Sequence, residues 1–386
     1  MQWVLKIIII FSISIFSFSQ DFRRSIFVSG NEGYKTYRIP AIIGLPDGGL
    51  LAFCEGRVYG GSDFGDIDIV MKHSKDKGNT WSKLFTVVNN DSLQAGNPAP
   101  VVDLKDPNYP NGRIFLFYNT GNNSEREIRK GNGLREVWYI TSTDGGITWS
   151  KAINITLQVH RPFQPKINPL YIFKEDWRSY ANTPGHAIQI LEGNYKGRIF
   201  VPANHSAGDP LPDFEDYQAH GFFTDDHGRT FHLSESISLP GSNESTAAGL
   251  SGDYLMMNSR NQKGDIKSRI VSISNTGGEH WDSVYFDQNL PDPVCEGSLI
   301  NIGKKKGKIM LAFCNAADQV NRDNLTLRIS FNEGKSWVKN ILIDHDNSQK
   351  DNAAYSDIIR LNKKTIGVLY EKDNYTSIEF RKVKWR

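Results

Sequence analysis

Apolar and polar positions along this chain fall into short runs, and turn residues interrupt them every few positions. One apolar run covers residues 38–45, and Pro46-Asp47-Gly48-Gly49 separates it from a second over 50–57. A glycine-rich stretch over 58–66 precedes a third run at 67–73. Runs of this length, bounded by Gly, Pro and Asp, predict strands joined by tight turns. The third run ends in Ser74-Lys75-Asp76-Lys77-Gly78-Asn79-Thr80-Trp81, an S-x-D-x-G-x-T-W octet, and related octets begin at Ser142, Thr224, Ser274 and Ser330. The Asp or Asn of such an octet can cap the turn by accepting backbone N–H bonds. Its glycine supplies positive φ, and the closing aromatic packs between units. The fourth octet departs from the pattern, with Thr276 and His280 in place of Asp and Thr.

Two further runs joined by a turn lie upstream of each octet, as at 186–190 with 198–204 and at 298–302 with 309–315. A long repeat of short strands fits propeller blades with variable loops. After the fifth octet come three more runs, at 354–361, 365–373 and 377–385, and residues 24–29 are expected to add the missing outer strand. The expectation is all-β: a six-bladed β-propeller of four-stranded antiparallel blades, forming one domain over residues 20–386.

Residues 1–19 read as a signal peptide, with Lys6, an apolar run, then Ser17-Phe18-Ser19 as the small-x-small cleavage site. The run is shorter than the ~20 residues that span a bilayer. The mature chain is therefore expected to be exported, periplasmic or extracellular, without stable membrane insertion. Hydrophobic residues make up 39% of the chain, enough for a large core, while a net charge of +2 gives no field that would draw nucleic acid. Three cysteines cannot form a disulfide framework for this length. Cys54 in LLAFCEG and Cys314 in MLAFCNA read as small buried strand residues. No metal-ligand spacing occurs; no cofactor and no metal are expected, and a monomer is.

Antiparallel strand order sorts the polar residues by face. Arg38 and Tyr355 begin first strands and Glu244 leads into one. Arg57, Arg260 and Glu371 end second strands, and Asp63 and Arg322 lie in the loops after second strands. All eight fall on the face opposite the octets.

YRIP at 37–40, the five octets, NES at 243–245 with MNSR at 257–260, RDNLTLRIS at 322–330, and AYS at 354–356 with LYE at 369–371 carry a specific resemblance. Over essentially its whole mature length the chain resembles bacterial-type exo-sialidases (neuraminidases). The resemblance implies that Arg38, Arg260 and Arg322 grip a sialic acid carboxylate. It implies Asp63 as general acid and base, Tyr355 as nucleophile, Glu244 as its proton acceptor and Glu371 as the carboxylate that holds Arg38. Arg57 is read either as lining the pocket or as structural. Asp66 rivals Asp63, and Arg328 rivals Arg322, although Arg328 lies within a strand and reads as packing.

The residue types suit that chemistry. Guanidinium matches a planar carboxylate. A carboxylate nucleophile, usual in glycosidases, would meet the negative charge of the sugar, whereas a phenol is neutral until it attacks. With a pKa near 10 the phenol needs a neighbouring base. The acid must be protonated, which predicts a raised pKa at Asp63 or a mildly acidic working pH. The expected partners are sialylated glycans, on glycoproteins, glycolipids or oligosaccharides. The alternatives are a trans-sialidase, a sialidase that releases an anhydro product, or a propeller that binds sialic acid without catalysis.

Overall fold

A computed structural model describes residues 22–346 and 351–386. The predicted signal peptide lies outside the described residues. The architecture is an all-β propeller whose sheets are almost wholly antiparallel, and whose hydrophobic clusters sit between neighbouring sheets. Ala99, Phe115 and Phe117 of one sheet, for example, meet Tyr180, Val201 and Phe222 of the next.

The expectation of six four-stranded blades is corrected by the pairing: the described residues form four small antiparallel sheets and one eight-stranded sheet. In the large sheet, Thr36–Gly44, Leu50–Arg57, Ile67–Ser74 and Phe85–Val88 are continuous with Gln94–Asp103, Arg113–Gly121, Arg135–Ser142 and Ile153–Asn154. The outer strand Phe85–Val88 reaches only as far as Ile69. The Ile67 amide is left open and donates to Leu93 O at 3.3 Å, bringing Gln94 alongside Ile67 in a parallel pair. An unpaired backbone donor has been satisfied by the next unit, and two expected blades become one sheet. A second departure is the five-stranded sheet, in which both Trp177–Asn182 and Ile188–Gln189 pair with Ile199–Ala207. The strand is interrupted at Pro184, which has no N–H to give.

The remaining sheets have four strands each. One runs Ser242–Gly249, Leu255–Asn261, Ser268–Ser274, Ser283–Pro291, and another Gly297–Lys305, Lys308–Ala316, Leu325–Ser330, Lys339–Asp344. In the last, Arg23–Val28 pairs antiparallel with Ser377–Lys384, which continues to Thr365–Lys372 and Ala353–Arg360. The N-terminal strand thus joins the sheet that carries Tyr355, as its sequence position predicts.

The octets work as their residue types demand. Gly78 N–H donates to Ser74 Oγ, and the Thr80 amide and hydroxyl both donate to the Asp76 carboxylate, at 2.8 and 2.7 Å. These bonds from Thr80 hold the Asp76 carboxyl down at about 2. In the deviant copy the Thr276 hydroxyl takes over the role, accepting from His280 N at 2.9 Å. Trp81, Trp149, Phe231 and Trp281 each pack a ring on the preceding unit, against Phe380, Phe53, Phe117 and Phe200.

The innermost strands present an edge to the propeller axis, and buried side chains cap it. Glu371 accepts from Ile39 N and Tyr355 N, Asp357 from Ile42 N and His186 N, Glu55 from Asn97 N, and Glu296 from Ser356 N. Five of these strands also carry a register shift near their start, at Arg38/Ala41, Gly96/Ala99, Trp177/Tyr180, Ser242/Ser245 and Ala353/Ser356. Such bulges re-aim side chains, here at the face opposite the octets.

The octet glycines are tightly specified. Gly78 has φ +83°, and a Cβ there would lie 2.2 Å from the Phe380 ring. Gly78→Ala should therefore cost about 1–2 kcal/mol of left-handed strain and about 1–3 kcal/mol of overpacking. Gly252, at φ +68° with nothing within 4 Å, should show the strain alone on substitution by Ala. Urea melts of the two variants check the difference.

Candidate functional site

A cavity of about 310 Å³ opens on the face opposite the octets. Arg38, Arg57, Asp63, Glu244, Arg260, Arg322 and Tyr355 all line it. Glu371 lies beneath, fully buried. The volume is near the lower bound for small-molecule sites and suits one sugar ring better than a chain of them.

Tyr355 stands at the start of Ala353–Arg360 and is 5% exposed. Its hydroxyl donates to the Glu244 carboxylate, with 2.7 and 2.8 Å to the two oxygens. Arg260 Nη1 donates to the same hydroxyl at 2.8 Å and to Glu244 Oε2 at 2.7 Å. Burial pushes the phenol well above its ordinary pKa, and the Glu244 charge adds to the rise, against the pull of Arg260 and Arg322. The phenol is therefore neutral, with a base already on its proton.

Arg38 donates from Nε to Glu371 Oε1 at 2.6 Å, and the same carboxylate caps the Ile39 and Tyr355 amides. Arg322 has no ion pair among the described residues; it donates to Tyr375 Oη at 3.1 Å and to Val294 O at 3.5 Å. Arg260 Nε is buried without an acceptor. Three guanidiniums meet at one wall, two with a carboxylate partner and one without, so the wall is short of negative charge. An incoming planar anion matches that deficit in both charge and geometry.

Asp63 sits in the loop after Leu50–Arg57 with its side chain 75% exposed, and Arg57 Nη1 lies 2.8 Å from its Oδ1. Protein packed around the loop raises the carboxyl even though the side chain itself is open to solvent, but the charges of Arg57, Arg38 and Arg135 outweigh this and hold it below the ordinary aspartate value. Of the two expected alternatives, a raised pKa at Asp63 or a mildly acidic working pH, the first is not what the structure has. Arg57 lines the cavity, yet its donors go to Glu55, the Gly61 carbonyl and Asp63. It acts as a clamp for the loop that carries Asp63.

The rival Arg328, and several other polar residues, are engaged elsewhere. Arg328 donates to Asn315 Oδ1 at 2.8 Å within its own sheet. Asp68 accepts from Tyr34 and Asn89. His186 pairs with Asp357, and His205 stacks on Trp177 with ring centroids 3.5 Å apart. All three cysteines are buried and free.

With this geometry in hand, comparison with known proteins gives the family. The BNR repeat-like domain model matches residues 48–368. The chain belongs to that family. Among its relatives, the sialidase of Micromonospora viridifaciens is 32% identical over 366 residues, covering 89% of this chain and 51% of that protein. The sialidase of Bacteroides fragilis is 26% identical over 364 residues, covering 89% and 61%. The chain thus spans about half to three-fifths of the length of these two relatives. The solved Hadza microbial sialidase Hz136 shares the fold at a TM-score of 0.77 and 24% identity, over 94% of this chain and 68% of that one.

Several residues of this family member's site escaped sequence reasoning. Tyr375 accepts from Arg322 and lies beneath Arg38, whose guanidinium is 4.0 Å from the ring centroid. It ends three consecutive residues, Asp373, Asn374 and Tyr375, at φ +51°, +50° and +66°. A bulky residue held there is strained and marks a site that its surroundings over-determine. Ser29 Oγ donates to the Tyr375 carbonyl at 2.7 Å, so the closing N-terminal segment helps to hold it. Arg135, buried and bonded to Gln94, and Glu125, bonded to Tyr217, also line the cavity. The three left-handed residues carry no glycine, which is the usual flag for such a turn.

The Arg57 clamp makes a pH prediction. A guanidinium favours the charged form of its neighbour, so Arg57→Gln removes the largest lowering influence on Asp63. The Asp63 carboxyl should titrate at higher pH in the variant than in the parent protein, as read from its ¹³C carboxyl shift in an NMR titration.

Proposed function

We propose that this chain is a retaining exo-α-sialidase that removes terminal sialic acids from glycoconjugates. The observation that carries this reading is the Tyr355 hydroxyl, held by Glu244 and Arg260 beside three arginines in a cavity sized for one sugar. The sialidase identity of its relatives supports it.

The sugar carboxylate enters against Arg38, Arg260 and Arg322, each charge-assisted hydrogen bond contributing roughly 1.5–3 kcal/mol. Its charge offsets that of Arg38, one of the three cations, with Arg57 and Arg135, that hold Asp63 down. Substrate binding therefore raises the Asp63 pKa towards the value an acid needs, and the carboxyl can exchange Arg57 for the leaving oxygen. Tyr355 Oη then bonds to the anomeric carbon as its proton passes to Glu244. The glycosidic bond breaks, and Asp63 protonates the departing oxygen. In the second half, water gives a proton to Asp63 and its oxygen replaces Tyr355 at the anomeric carbon, while Glu244 returns the proton to the phenolate. Two inversions leave the configuration retained. A phenol serves better than a carboxylate because the substrate already brings one negative charge to that carbon.

The two catalytic steps separate by leaving group. Asp63→Ala should lose roughly 10²–10⁴-fold on sialyllactose, which leaves as a poor alkoxide, and far less on an aryl sialoside. Tyr355→Phe should be slow on both, since attack is impaired whatever departs. Steady-state kinetics on the two substrates check this, and equal losses for Asp63→Ala would move the acid role to Asp66.

Arg322→Lys tests the guanidinium wall. Lysine keeps the charge but loses the planar two-point grip and the bond to Tyr375. Substrate affinity should fall while the Tyr355–Glu244 pair stays intact, giving a larger change in KM than in kcat.

A further inference from the structure

The chain between the short helix Thr156–Val159 and the strand Trp177–Asn182 folds as a small hairpin on the rim of the cavity. Phe163 and Ile172 pair across it, with Gln164 N donating to Tyr171 O at 2.8 Å and Phe173 N to Pro162 O at 3.2 Å. One side of the hairpin is bolted to the body. Tyr171 is buried and donates to Glu136 at 2.5 Å, and Gln164 Nε2 reaches the Gly131 carbonyl at 3.0 Å. The other side and the tip hold four large apolar residues in the open: Phe163 at 51% exposure, Ile167 at 46%, Leu170 at 62% and Ile172 at 65%. Apolar side chains shown to water contribute nothing to the folding of an anchored loop, so a contiguous group of them calls for a partner.

Charge indicates which partner. Residues 162–174 contain Lys166 and Lys174, both exposed, and no Asp or Glu. Just behind, the exposed Glu175 faces the charge of Arg161, and Asp176 is paired with Arg178. Apolar side chains flanked by lysines are what an interface of acyl chains and anionic headgroups takes. A second copy meeting the same patch about a twofold axis would set these lysines against their own mates. Among the described residues no helix is long and apolar enough to cross a membrane, so the contact is peripheral. The hairpin also leads directly into the strand whose Ser179 and Tyr180 line the cavity.

We propose that this hairpin docks the protein on anionic lipid surfaces, with Phe163, Ile167, Leu170 and Ile172 entering the interface and Lys166 and Lys174 contacting headgroups. The cavity beside it then faces what the surface carries. Resting on the sialidase reading, this makes membrane-borne sialylated glycolipids a favoured substrate class over free oligosaccharides.

The test separates docking from catalysis. The full chain is sedimented with vesicles of phosphatidylcholine alone and of phosphatidylcholine with phosphatidylglycerol, neither of which contains sialic acid. Binding to the anionic vesicles is expected, weakened at least about tenfold in Phe163→Ser/Leu170→Ser and about fivefold per charge in Lys166→Gln/Lys174→Gln. Turnover of sialyllactose should be unchanged in all variants, while turnover of a glycolipid in anionic vesicles falls with binding. Absent binding, or binding indifferent to both double variants, overturns the proposal even if sialyllactose is cleaved. So does a dimer in sedimentation velocity that Phe163→Ser/Leu170→Ser dissolves, because the patch then belongs to a second copy.

Discussion

A strand at the centre of a propeller is paired on one side only, and the N–H groups on its inner side need acceptors from outside the sheet. This chain meets that constraint with buried carboxylates. Glu371, Asp357, Glu55 and Glu296 accept backbone bonds from neighbouring inner strands and bind them to one another. An unsatisfied buried donor costs about 1–3 kcal/mol, so every cap contributes at the scale of a large part of the net stability. The negative charge this places at the axis must itself be paired, and arginines supply the pairing: Arg38 on Glu371, Arg57 on Glu55. The cationic wall of the cavity grows out of the solution to a backbone problem.

Function draws on the surplus. Arg322 and Arg260 Nε are left short of acceptors, and Tyr375 holds Arg322 and Arg38 in position without neutralising either. A phenol and a ring face orient guanidiniums while leaving their charge available to a ligand. Exchange of Tyr375 for an acid would spend that charge internally.

Much of this was legible in the sequence because each cue has a local physical cause. The octets announce themselves through turn chemistry, and the side of the sheet on which Arg38, Tyr355 or Glu371 lies follows from antiparallel strand order. What was illegible is what depends on the third dimension. Division into separate blades failed because one amide, that of Ile67, found its acceptor at Leu93 in the next unit. The low pKa of Asp63 depends on Arg38 as well as Arg57, and Arg38 stands on a different strand. Tyr375 was missed because Asp373 and Asn374 tolerate a left-handed turn without requiring one, and nothing local extends that turn to a bulky residue held from Ser29.

The pairing of Arg23–Val28 with Ser377–Lys384 brings the first and last described strands together. It makes assembly of the site a late event in the life of the chain. Glu371 and Tyr355 belong to that terminal sheet, while their partners Arg38 and Glu244 are made long before. On a ribosome, the early units can gather their local contacts, but the joint between the first and last described strands waits until residues 377–384 have been made, and it carries the largest loop-closure cost among the described pairings. Until then Arg38 has no Glu371 and Tyr355 no fixed place beside Glu244. The growing chain therefore has no working pocket, and competence arrives in one step, with closure of the ring.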